Sequence, residues 1–135
     1  MKSKGMENSQ LIQVLRTFDS SEIREFRKWV CSPAHNQRED VSALYHYLTD
    51  NNHLRDAAYL DKVAVFPKIH PDEKAYDDDK MRQSMHFLMR TLEEYLLFKE
   101  YQSDETYLHI VRARMYRKRK LEKPFLKSLR KWERH

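Results

Sequence analysis

Residues Asp77 to Tyr101 read DDDKMRQSMHFLMRTLEEYLLFKEY. At about 100° per residue, Met81, Met85, Leu88, Met89, Leu92, Tyr95 and Leu96 fall in one broad stripe, with Phe87 and Phe98 in a second sector. Only Arg82, His86, Arg90, Glu93 and Glu100 define a mostly polar side. A helix that is apolar on two sectors is one that other helices surround. Residues 78–101 are therefore expected to form the spine of an all-α domain, with Asp77, Asp78 and Asp79 offsetting the positive end of its dipole.

Upstream, the same helical period repeats behind a series of caps. Ser9 is placed to cap a short helix that turns Leu11, Ile12, Val14, Leu15 and Phe18 toward a neighbour. Asp19 followed by Glu22 has the form of a capping box, and Ile23, Phe26, Trp29 and Val30 share one face behind it. Ser32-Pro33 stops that helix, because proline disfavours helical geometry in the residue before it and has no amide hydrogen. Asn36 with Glu39 repeats the cap pattern, and Val41, Leu44, Tyr45 and Leu48 follow at helical spacing until Asp50-Asn-Asn-His53. Residues 54–76 read either as a short helix capped by Asp61 or as a strand ending at Pro67, and the helix is preferred.

Composition agrees. The chain has 135 residues, 40% apolar and 35% charged, with one glycine and four prolines. That length fits one domain with a real core. An all-β chain would need many tight turns, and the glycines to make them are missing. The single cysteine, Cys31, allows no internal disulfide, and near a helix end it reads as a small buried hydrophobe. MKSKGMENSQ carries no apolar run behind its lysines, and no window approaches the roughly 18 apolar residues of a membrane span. The expected compartment is the cytoplasm, with no membrane association.

Downstream of the spine, Ser103 or Asp104 caps a sixth helix and Pro124 sits in the first turn of a seventh. Residues 112–135 hold 11 basic and 2 acidic side chains, against 15 and 19 in the rest of the chain. Arg112, Arg114, Arg117, Lys118, Arg119, Lys120, Lys127, Arg130 and Lys131 are thus candidates to contact an acidic partner or nucleic acid. On a wheel they spread around the circumference instead of forming one stripe. A helix projecting beyond the core, with cations favoured at its C-terminal end, accounts for them equally. Tyr107, Leu108, Val111, Phe125, Leu129 and Trp132 form the candidate exposed apolar interface, with one side left to cover.

The run from Leu15 to Asn36, LRTFDSSEIREFRKWVCSPAHN, and that from Phe66 to Arg82, FPKIHPDEKAYDDDKMR, resemble the N-terminal part of a family of uncharacterised long all-helical bacterial proteins. The likeness covers about 100 residues and consists of structural punctuation, so it implies no activity. It implies that this chain begins something longer, its last helices resembling the first hairpin of a tetratricopeptide-like array, although the Trp, Gly and Tyr pattern of such repeats is absent. A more distant likeness joins residues 59–101 to the winged-helix part of bacterial transcriptional activators. There the long helix would enter the major groove, and three aspartates in its first turn would repel phosphates.

The sequence encodes little chemistry. No two of its seven histidines stand at an HxxxH spacing, and His46, His86 and His109 read as ordinary helix positions. The only glycine, Gly5, lies in the leader, so no glycine-rich phosphate loop can form. Cys31 has only His35 near it in sequence. Catalytic, cofactor and metal residues are all expected to be absent, and no small-molecule substrate is expected. The expected architecture is an irregular bundle of six or seven helices around one long central helix, ending in a helical hairpin. Its parts are a flexible leader (1–8), a helical core (9–102) and a basic hairpin continuous with it (103–135). The expected function is a non-enzymatic module for binding a protein partner or a second copy, with nucleic-acid binding through the hairpin as the alternative.

Overall fold

The structure, a computed structural model, describes residues 5–133, with side chains over 5–131. It is all-α: among the described residues there are seven α-helices and no β-strand beyond a single bridge between Gly5 and Asp61. They are α1 (Gln10–Leu15), α2 (Ser20–Val30), α3 (Glu39–Thr49), α4 (Lys62–Ile69), α5 (Asp78–Ser103), α6 (Glu105–Lys118) and α7 (Glu122–Glu133). The chain divides into two compact units, Met1–Tyr95 and Leu96–His135.

The caps of the first unit follow the sequence closely. Ser9 accepts from the Ile12 amide, and the Asp19 carboxylate and Glu22 make the reciprocal capping box. Asp61 caps α4, which runs through Pro67, so the helical alternative holds there. The Asp77 carboxylate accepts from the Lys80 amide at the head of α5. The cap expected at Asn36 is not one. Arg38 occupies the N-cap position of α3 without a side-chain bond, while Asn36 bridges the Val30 and Arg38 carbonyls and accepts from the Arg38 amide. That proline-bearing loop is held by Asn36, leaving the helix start to Arg38.

Residues 1–4 of the expected leader lie outside the described residues. From Gly5 onward it is tied down, because Met6 is 1% exposed and its amide donates to the Leu60 carbonyl at 2.8 Å. A buried methionine and one bridge hold a segment whose sequence offers no period to read.

The core of this unit joins α1 to α5. Leu11, Ile12, Leu15, Val41, Leu44 and Leu48 are buried as their spacing requires. The rings of Phe26 and Tyr45 meet edge-on at 4.8 Å, and Tyr95 of α5 meets Phe26 at 5.4 Å. Each such pair adds about 0.5–1.5 kcal/mol to the burial itself. α5 contributes Met81, Ser84, Leu88, Thr91, Leu92 and Tyr95 to this interior. In its second apolar sector Phe87 is half-buried beneath the Arg38 guanidinium, 4.4 Å from the ring centre, and Phe98 is exposed.

The second unit holds the end of α5 and the α6–α7 hairpin. Asp104 caps α6 by accepting from the Tyr107 amide. The turn into α7 is a Schellman closure, in which Lys120 donates to the Arg117 carbonyl and Leu121 to that of Tyr116. Lys120 takes the left-handed position at φ 59°, where glycine is the usual occupant.

Candidate interaction surface

Each helix of the hairpin buries one small residue. Ala113 of α6 is 6% exposed and Ser128 of α7 is 3% exposed, and among the described residues these are the buried side chains of the second unit. Small side chains let helix backbones approach closely, which leaves little room in the contact for large apolar ones. Leu108, Val111 and Met115 consequently lie on the side of α6 opposite Ala113, by helical position.

The expected apolar interface is therefore divided over different faces. Tyr107 and Val111 line one groove of about 500 Å³ with Met115, Lys118 and Arg119. Phe125 and Leu129 line another, of about 300 Å³, with Ile110, Ala113 and Arg117. Tyr107 is exposed and stacks on Tyr101, while Leu108, Val111, Phe125 and Leu129 are half-buried. The side chain of Trp132 lies outside the described residues.

Several contributors escaped sequence reading. Of the ten large apolar side chains left exposed among the described residues, eight belong to the second unit: Leu97, Phe98, Tyr101, Tyr107, Ile110, Met115, Leu121 and Leu126. The signal available was the position of Ala113 and Ser128. Met115 and Leu126 lie across their helices from these two positions and are exposed.

All nine candidate cations are exposed, and among the described residues none forms an ion pair with a carboxylate. Arg112 lies 3.3 Å from His109. Lys127, Arg130 and Lys131 join Arg112 around a groove of about 630 Å³, with Tyr116 and Leu126 also in its wall. Arg114, Lys118 and Arg119 border the groove of Tyr107 and Val111, and Arg117 and Lys120 flank Leu121 and Phe125. The spread over the circumference places cations beside each of these grooves.

Outside the hairpin, polar side chains cluster where α3, α4 and α5 meet. Ser84 is fully buried, and its hydroxyl donates to Asp40 Oδ2 at 2.5 Å. His70 Nε2 stands 2.9 Å from the same hydroxyl oxygen, and Arg38 grips Asp40 with two bonds of 3.1 and 2.9 Å. The one hydroxyl hydrogen is used toward Asp40, so the His70 bond requires the proton on Nε2. Burial alone would raise the Asp40 carboxyl, but the bonds from Arg38 and Ser84 and the Arg38 charge hold it below the usual carboxylate range. A serine, a histidine and an aspartate come together, yet the aspartate sits on the serine and lies 3.8 Å from the same histidine nitrogen, Nε2. Catalytic triads orient the histidine through its other nitrogen and need an accessible hydroxyl. This group ties three helices together.

Cys31 corrects its sequence reading. It is exposed, at the C-cap of α2, and its sulfur lies 3.5 Å from His46 Nε2 on α3. Folding brings in a histidine 15 positions away. His35 instead stacks on Trp29 with ring centres 3.6 Å apart. Asp77 and Asp78 are occupied by the Lys80 amide, Tyr76 and Arg82. Among the described residues no three His, Cys, Asp or Glu side chains are grouped to hold a metal ion, and no helix is long and apolar enough to cross a membrane.

The fold and this surface define an all-α protein with an uncovered, cation-rich hairpin. No model of a known family, no curated protein and no solved structure matches the chain.

Proposed function

We propose that this chain is a non-enzymatic protein–protein interaction module, of a scaffold or regulatory kind, that works in the cytoplasm through its C-terminal hairpin. The observation that carries the reading is the concentration of exposed large apolar side chains in Leu96–His135, interleaved with cations that have no carboxylate partner among the described residues. Clustered apolar surface rimmed by polar residues is what a protein partner covers.

Nucleic-acid binding is the second reading, favoured by the same unpaired cations. It differs in its salt response, because each phosphate contact releases counterions and steepens the fall of affinity with salt. Photocrosslinkers placed singly at Ile110 and Leu126, with Lys68 on α4 as control, test the proposal in cells. Protein adducts from the hairpin positions and none from Lys68 are the expected result. Adducts to nucleic acid, or equal protein adducts from all three positions, would overturn it.

A further inference from the structure

Resting on that reading, we infer that the groove of Arg112, Tyr116 and α7 receives an acidic amphipathic helix of a partner protein. Lys123, Lys127 and Lys131 recur every four residues along α7, so their Cα atoms stand about 6 Å apart on one side of the helix. Arg130 lies within the same arc, and Arg112 faces this row across the groove from α6. A partner helix with carboxylates at the same four-residue repeat presents its charges at the matching spacing. No carboxylate among the described residues already pairs with these side chains.

Charge is half of the match. The groove wall also carries Tyr116, Pro124 and Leu126, the last 46% exposed at the edge of the lysine row. An amphipathic helix would set leucine-like residues over that edge and its carboxylates over the lysines. A nucleic-acid backbone offers phosphates to the lysines and nothing that covers Leu126. The groove, about 630 Å³ and open to solvent, has room for side chains projecting from one helix face.

The test uses the full chain and a fluorescent synthetic peptide of about five helical turns, with glutamates at every fourth position and leucines beside them. Its companions are a peptide of the same composition in scrambled order and a single-stranded oligothymidine, all titrated at near-physiological salt of about 0.15 M. The designed peptide is expected to bind at least about tenfold tighter than either. Lys127→Glu with Lys131→Glu should weaken it by a further factor of about ten, and Leu126→Ala by a smaller factor. Circular dichroism verifies that each variant remains helical, and Lys127→Gln with Lys131→Gln serves if the reversal does not fold. Equal binding of the scrambled peptide, tighter binding of oligothymidine, or indifference to these substitutions would each overturn the inference. If the peptide fails while hairpin crosslinks to protein persist in cells, the acidic helix falls and the interaction module stands; loss of both removes both.

Discussion

The Ser84 hydroxyl and the Asp40 carboxylate, 44 residues apart in sequence, share a hydrogen bond of 2.5 Å that joins α5 to the first turn of α3. Both partners are largely removed from water, Ser84 completely. Ser84→Ala would leave Asp40 and the His70 imidazole each short of a partner. Leaving buried polar groups unmatched costs about 1–3 kcal/mol. Urea unfolding should show a loss of that size, with the slope unchanged.

The same carboxylate sets an acid limit. Its folded-state pKa is depressed by Arg38 and Ser84 against the opposing effect of burial, so it contributes stability above its unfolded value, about 3.9. That contribution shrinks as pH falls below this value and is gone once the folded-state carboxyl protonates. Wild-type unfolding free energy should therefore decline from about pH 5 downward more steeply than that of Asp40→Asn, which carries no such titration. Parallel curves would remove Asp40 from the account.

The turn between α6 and α7 contains a correctable strain. Lys120 holds a left-handed backbone at φ 59°, a conformation that costs a residue with a Cβ about 1 kcal/mol and glycine almost nothing. Lys120→Gly should stabilise the hairpin by up to about 1 kcal/mol. Slower amide exchange across α6 and α7 would report it, and faster exchange would refute it.

These elements differ in how visible they were beforehand. Val41, Leu44, Tyr45 and Leu48 could be assigned to the interior because one helix writes its burial as a local period, and the Asp19 and Glu22 cap joins residues only three positions apart. Asp40, His70 and Ser84 carry no local mark, since their meeting depends on how three helices cross. The hairpin misled for a related reason. The sequence presents its large apolar residues as one interface, whereas the fold divides Tyr107 and Val111 from Phe125 and Leu129. The candidate cations were legible from composition alone; their sorting onto separate grooves required the fold.

Cys31 supplies a chemical test of exposure. A buried thiol reacts only when the structure opens, which for a stability of about 5 kcal/mol slows labelling by a factor of several thousand relative to the unfolded chain. Cys31 is exposed beside His46, so the native protein should react with an aromatic disulfide reagent within about tenfold of the unfolded rate. The thiolate is the attacking species, and His46 Nε2 stands 3.5 Å from the sulfur. His46→Ala should slow native labelling near neutral pH while leaving the rate in denaturant unchanged.

The sharpest contrast in burial falls within a single helix. Leu92 is fully buried, whereas Leu97, five residues further along α5, is 52% exposed. The two residues have the same side chain and the same intrinsic helix propensity, so replacing each by alanine changes only what surrounds it. Leu92→Ala removes a side chain packed on every side and should cost about 2–5 kcal/mol, the range in which cavity creation adds to lost burial. Leu97→Ala should stay within about 0.5 kcal/mol, as surface substitutions do. Thermal and urea unfolding of the pair measures the difference directly. A comparable loss for both would mean that Leu97 is covered in solution, and sedimentation of the wild-type chain would then show whether a second copy covers it.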